Sequence, residues 1–179
     1  MEYAHCIQAR QATPEQALAL FESLAPADMD FMFGAWKGEG FHTDHPLDGV
    51  LEAYHWHGKR FEDAETVHPL VFRTLWGSTL NVNPGLMVIS PRLVERVGVP
   101  KAPALGRLFQ CLIPLMRTGR PRARLRMTEY RGTSCATMIY DQLPILDVFR
   151  RIDDDTALGL MDLRGLSRPL FFVLRREQV

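Results

Sequence analysis

The last third of the chain limits its fold most strongly. From residue 122 to residue 176, short strand-like runs follow one another: Arg122–Tyr130, Ser134–Asp141, Val148–Ile152, Thr156–Leu163 and Leu170–Arg176. The links between them include three turn-formers, Arg131-Gly132-Thr133, the acidic Asp153-Asp154-Asp155, and Arg164-Gly165-Leu166-Ser167. Parallel neighbours need a crossover of about a dozen residues or more. These links are too short for that, so the strands are predicted to pair antiparallel, as a meander in a barrel or a sandwich.

The first half extends the pattern. Thr13-Pro14-Glu15-Gln16 is a helix start in which Thr13 caps, Pro14 sits where its missing N–H costs nothing, and Gln16 completes a capping box. Leu18, Phe21 and Leu24 give that helix one apolar face, and Pro26 stops it. Residues Met32 to Gly40 then alternate, with Met32, Gly34, Trp36, Gly38 and Gly40 on one parity. Glycines at such positions mark sharp bends or the close approach of another element. Val50–His57, Thr66–Leu75 and Leu86–Ser90 are further predicted strands. Between about 91 and 117, Leu105, Leu108, Phe109, Leu112, Ile113 and Met116 recur at helical spacing, with Pro114 kinking or ending the element. The fold class predicted is mainly β: an antiparallel barrel with an N-terminal helix and a helical insertion. A chain of 179 residues, 46% of them hydrophobic, suits a single domain over 1–179 with a substantial core.

The formal net charge is zero, which argues against a general nucleic-acid binder, but it is a sum over unlike segments. Residues 1–89 carry 5 basic against 12 acidic side chains, residues 90–132 carry 10 against 2, and residues 133–179 carry 6 against 7. The acidic and basic segments are expected to face each other. Arg117, Arg120, Arg122, Arg124 and Arg126 make a dense basic run, yet it lacks the interleaved aromatics of RNA-binding surfaces. A solvated face paired with acidic loops is the expectation, with contact to an anionic partner as the alternative. Met1-Glu2-Tyr3-Ala4-His5-Cys6 has no basic n-region or apolar h-region, and no stretch approaches a membrane span. Cys6, Cys111 and Cys135 are scattered and odd in number, which suits a reducing compartment. The localisation expected is cytoplasmic.

Gly34-Ala35-Trp36-Lys37-Gly38 is a literal GXWXG. With Trp56-His57-Gly58-Lys59-Arg60-Phe61 and Val67-His68-Pro69-Leu70-Val71-Phe72, it resembles the GXWXG domain family of small bacterial and plant proteins. Leu125-Arg126-Met127-Thr128-Glu129-Tyr130-Arg131-Gly132, Met138-Ile139-Tyr140-Asp141 and Leu158-Gly159-Leu160-Met161-Asp162 resemble the domain of unknown function that commonly follows it. The resemblance supplies a GXWXG part over about 20–75 and a strand meander over about 122–176, and no catalytic residues. More distantly, a helix followed by a Gly-x-Trp strand, with Arg late in the final strand, is similar to the calycin barrels: lipocalins, fatty-acid-binding proteins and haem-binding nitrobindins. That likeness implies that Arg175 or Arg176 stacks on Trp36. The nitrobindins place an axial His late in the chain, whereas this chain has no histidine after His68.

Trp36, His55, His57, Lys59, Glu129, Arg131 and Asp141 are the candidate ligand-binding residues. On a strand, His55 and His57 would share a face about 7 Å apart, as zinc ligands, as acid–base groups, or simply as polar surface. No Cys accompanies them and no HExxH occurs, so no metal site is assigned. If Leu125 and Met127 turn inward, parity turns Glu129 and Arg131 inward too, as a structural ion pair or as contacts for a ligand's polar head. No P-loop, dinucleotide turn or GxSxG is present. Three functional readings follow. The first is binding of a small apolar or amphipathic molecule inside the barrel, without a cofactor. Trp36, Trp56, Trp76, Phe109, Leu112 and Met116 would then supply lining or lid. The second is an enzyme pairing His55 or His57 with Asp141, Glu129 or Lys59, and the third is a nitrobindin-like haem protein. No nucleic-acid partner is expected. A homodimer through an exposed strand or the insertion is compatible with the pattern.

Overall fold

The computed structural model describes residues 4–87 and 91–178. Ten strands appear among them: β1 (Ala25–Pro26), β2 (Gly34–Phe41), β3 (Trp56–Phe61), β4 (Val67–Arg73), β5 (Thr79–Asn81), β6 (Ala123–Tyr130), β7 (Thr133–Tyr140), β8 (Ile145–Arg151), β9 (Thr156–Leu163) and β10 (Leu170–Arg176). Eight of them close into an antiparallel ring in the order β8-β7-β6-β4-β3-β2-β10-β9, with β9 returning to β8. Of the barrel and the sandwich that the strand pattern allows, the chain forms the barrel, and it fits the calycin-like fold that the resemblance implies. The joints of the ring are unequal. β2 and β10 pair from Phe41↔Phe171 to Trp36↔Arg176, whereas β4 meets β6 at the single pair Val67↔Ala123.

Two separate cores result. The barrel interior holds Trp36, Trp56, Phe61, Phe72, Leu125, Met138, Tyr140, Phe149 and Phe172. A second core lies outside the wall, where Phe21, Leu20 and Ala17 of the helix Pro14–Ser23 cover Leu158, Leu160, Phe171 and Val173. That helix starts as predicted: Thr13 Oγ1 accepts from Gln16 N and Gln16 Oε1 accepts from Thr13 N. A further short helix, Ala4–Ala9, precedes it.

Glycine at position 38 of β2 makes room for an aromatic ring. A Cβ on Gly38 would lie 2.1 Å from Trp56 Cη2, so the Trp56 indole occupies the space that a side chain there would need. Gly58 has φ +153°, and a Cβ on it would come within 1.8 Å of the Trp36 carbonyl oxygen. Register shifts in the β3–β4 pairing around Gly58 bend β3 there. At one end of the barrel, Trp36 Nε1 donates to Met32 O at 2.8 Å and the Arg176 guanidinium stacks over its ring at 4.4 Å. Arg176, rather than Arg175, is therefore the arginine over Trp36, and Arg175 turns outward to Glu39.

Three expectations change, and the helical insertion forms as expected. The strand predicted over Val50–His57 is a helical turn over Val50–Ala53, followed by His55 at φ +60°, and β3 starts only at Trp56. The strand predicted over Leu86–Ser90 begins as a 3-10 turn, Pro84–Leu86, and its residues 88–90 lie outside the described residues. The strand predicted to start at Val148 starts at Ile145. The insertion is built of helices Pro91–Val97 and Pro103–Leu112, extended by a 3-10 turn over Ile113–Met116. No helix among the described residues is long and apolar enough to cross a membrane.

Gly58→Ala is expected to lower stability by ~3 kcal/mol or more, because it combines a forbidden φ with a backbone clash. Urea denaturation checks this; a loss within ~0.5 kcal/mol would show that the wall at Gly58 yields.

Candidate functional site

Charges are rarely buried without partners, so the ionisable groups inside the barrel mark the site. Asp147 alternates with Ile145 and Phe149 on the inner face of β8, and Lys59 reaches inward from the bent β3. Lys59 Nζ lies 2.7 Å from Asp147 Oδ2, with the side chains only 3% and 1% exposed. The ammonium also donates to Pro69 O at 3.2 Å and to the Tyr140 hydroxyl at 3.5 Å. Three rings surround it, with centroids at 5.0 Å (Phe172), 5.4 Å (Trp56) and 5.7 Å (Tyr140).

Burial governs the electrostatics of this cluster. It pushes the Lys59 ammonium below its ordinary range and the Asp147 carboxyl above its own, and the attraction between the two only partly offsets this. Tyr140 is held well above the usual phenol range, first by burial and then by the Asp147 charge. In this cluster Trp56 Nε1, a donor, and Asp147 Oδ1, an acceptor, have no hydrogen-bond partner, and Asp147 Oδ2 meets only the Lys59 ammonium; elsewhere among the described residues His68 Nδ1, Gln110 Oε1, Arg122 Nε and Arg150 Nε are unmet too. Trp56 and Asp147 flank the ammonium. An unmade bond at a buried polar group costs about 1–3 kcal/mol.

The helix Pro103–Leu112 closes the barrel end that Trp56 and Phe72 face. Phe109 packs edge-on against Tyr54 and Phe72 at centroid distances of 5.1 and 5.2 Å. Gly106 lets the helix approach the Ala53 carbonyl, and Gln110 Nε2 donates to Tyr54 O at 3.2 Å. Two shallow clefts, of about 260 and 300 Å³, lie outside the barrel; His45, Glu95 and Arg168 line the first, and Arg131, Glu15 and Phe171 the second.

Of the residues singled out from the sequence, Lys59 and Trp36 face the interior and are cross-strand partners, Lys59 reaching into the cluster and Trp36 lying under the Arg176 guanidinium. The other five lie elsewhere. His55 is exposed, and His57 Nε2 pairs with Glu177 Oε1 at 2.8 Å, so the two histidines do not share a strand face. Glu129 is exposed, Arg131 pairs with Glu22, and Asp141 pairs with Arg124 at 3.4 Å. The parity argument for Glu129 and Arg131 fails for a physical reason. β6 has β4 beside it only at Ala123, so beyond Leu125 the hairpin projects past the wall, and Met127 is exposed as well. Asp147 and Tyr140 were not singled out by sequence. For Asp147 the signal is a lone charge inside the apolar run Ile145-Leu146-Asp147-Val148-Phe149.

The donor set does not fit a haem. The interior offers an ammonium, a carboxylate, a phenol and an indole N–H, while His57 and His68 turn to Glu177 and Glu62. Among the described residues no three His, Cys, Asp or Glu side chains converge as metal ligands.

Residues 19–77 match the family described as GXWXG protein, and residues 121–176 match a domain of unknown function (DUF4334). A solved structure described as a protein from Thermomonospora curvata is similar over 99% of this chain and 97% of its own, with 32% identity and a TM-score of 0.71. No protein of curated function matches the chain.

Cutting the buried pair in half is expected to cost ~3–5 kcal/mol, because Asp147→Asn or Lys59→Met leaves one charge alone in an apolar interior. The double change Lys59→Met/Asp147→Leu should recover most of that loss in urea melts; no recovery would show that the two residues do not act as a pair. A second expectation concerns pH. Burial lowers the pKa values of His45 and His68, so the unfolded chain binds more protons than the folded one near and below the ordinary histidine range. Stability should therefore fall as pH drops through about 6.5, and less so in His45→Gln/His68→Gln. The pH dependence of the urea midpoint measures this; equal slopes for the two proteins would contradict it.

Proposed function

Because this chain belongs to the GXWXG family, with the domain of unknown function that follows the motif completing its barrel, we propose that it binds one small neutral amphipathic molecule at the Lys59–Asp147 cluster. The observation that carries this reading is the pair of unmet buried groups, Trp56 Nε1–H and Asp147 Oδ1, beside an ammonium in an aromatic cage. A hydroxyl group has the chemistry both need, since it can accept from the indole and donate to the carboxylate. A carboxylate head suits the site less, because Lys59 is already neutralised by Asp147 and a second anion would face the first. The tail would lie among Phe72, Phe109 and Met116, under the insertion helix. Side chains fill the interior, so entry requires the helix Pro103–Leu112 to lift, and the bond from Gln110 to Tyr54 O is one tie that must break. The Arg176 guanidinium holds the Trp36 ring in place.

A second reading, in which the site performs chemistry, is favoured by residue choice. The chain uses 18 Arg but 3 Lys, and it places a lysine at this buried position although arginine suits buried ion pairs better. With its proton passed to Asp147, the Lys59 amine is a nucleophile for a carbonyl. Addition and loss of water would form a protonated imine: the water carries off the carbonyl oxygen with one proton from the amine and one from Asp147, and the Asp147 carboxylate is left paired with the iminium.

Calorimetric titration with 1-decanol and with decanoate tests the binding reading. The alcohol should bind, with decanoate at least about tenfold weaker, and Lys59→Met should weaken the alcohol by a similar factor. If neither ligand binds, and native mass spectrometry of protein taken directly from cells shows no retained small molecule, the reading is wrong. Borohydride reduction in the presence of decanal separates the second reading from the first, because it leaves a stable mass increase on Lys59 only where an imine has formed.

A further inference from the structure

Large apolar side chains cluster in the open at the barrel end that the insertion closes. Along the insertion, Leu105, Leu108, Leu112 and Leu115 form one stripe, with Leu115 80% exposed. On the same helix, Gly106, Phe109, Gln110 and Ile113 turn inward, so the stripe is a second face that nothing in the chain covers among the described residues. The β4–β5 hairpin projects from the same end, because β4 runs from Val67 beside Phe61 to Phe72 beside Trp56. Its tip presents Leu75 and Trp76, the latter 84% exposed. Scattered exposed leucines need no explanation, but six large apolar side chains at one end of a barrel do.

Charge indicates what would cover them. Residues 96–128 contain eight Arg or Lys and not one Asp or Glu. Arg124 and Arg126 are paired with Asp141 and Glu65, whereas Arg107, Arg117 and Arg120 are exposed with no acidic group within ion-pair distance among the described residues. An apolar stripe rimmed by free arginines is the pattern of an element that lies in the interface of an anionic bilayer, leucines toward the acyl chains and guanidinium groups at the phosphates. A second copy of the chain fits less well. A two-fold contact through this face would set the same basic stretch against itself. Single-stranded nucleic acid fits less well too, since its bases stack on aromatic rings and the stripe is made of leucines.

We propose that the insertion helix and the β4–β5 hairpin form a docking surface for negatively charged lipid bilayers. Docked this way, the mouth of the barrel opens toward the acyl chains, and the helix that must move for entry is the one in contact with the lipid.

The test is co-sedimentation of the full chain with phosphatidylcholine vesicles, with and without roughly one part in three of phosphatidylglycerol. Binding to the anionic vesicles should exceed binding to the neutral ones by about tenfold or more, and it should weaken as salt is added. Trp76 should report insertion by a blue shift of its emission, because Trp36 and Trp56 are already buried. Leu108→Asp/Leu112→Asp should abolish the shift, and Arg107→Ala/Arg117→Ala/Arg120→Ala should reduce the anionic preference; circular dichroism confirms that both variants are folded. No binding to anionic vesicles overturns the proposal. It is equally overturned by undiminished binding of the Asp variant, by a stable dimer that keeps the protein off the vesicles, or by capture of an acidic protein through this face while vesicles are ignored.

Discussion

The barrel depends on one exchange of volume: the Trp56 indole lies where Gly38 has no side chain. That overlap fixes how closely β2 and β3 approach, and β3 must kink at Gly58 to permit it, against the Trp36 carbonyl. The kink breaks the simple alternation of β3, so Trp56, Gly58, Lys59 and Phe61 are all buried. Lys59 reaches the interior only because of it. A motif that reads as a family signature is thus a packing device, and its functional effect is indirect: it places an ammonium inside an apolar barrel.

That ammonium is expensive to hold. The attraction of a buried pair often fails to repay the desolvation of two ions, and a well-packed apolar pair would serve stability as well. Pair, phenol and indole gather at one place in the interior, beside Trp36, whose own N–H is met by Met32 O. Polarity concentrated in this way adds little to the stability of the barrel.

Much of this architecture was legible in the sequence. The hairpins at Gly132 and Asp153–Asp155, the capped helix after Thr13 and the GXWXG strand all rest on local chemistry, and they form where expected. What was not legible depends on neighbours. The inner face of β6 is inside only while a wall stands opposite, and that wall ends near Ala123, which is why Glu129 and Arg131 lie outside. His55 leaves the strand because Val50–Ala53 coils into a turn beneath the insertion helix, a contact distant in sequence. Asp147 was hidden because the predicted strand started only at Val148, whereas β8 begins at Ile145. The opposed charges of the segments meet only in part: Arg126 finds Glu65 and Arg131 finds Glu22, while the basic residues nearest the barrel mouth stay free.

The junction of β4 and β6, held by Val67 and Ala123, gives the wall a direction of weakness. Elsewhere the ladders run over several pairs, so a swelling interior would spread its load around the ring and part at this slit first. The chain leaving the insertion is anchored to β5 through Thr118 N to Asn81 O, and β5 in turn to β4 through Val82 N to Leu70 O. Widening the slit and raising the lid are therefore one mechanical coordinate, and the boundary between the two matched regions of the chain is also the line along which the barrel can breathe without unravelling.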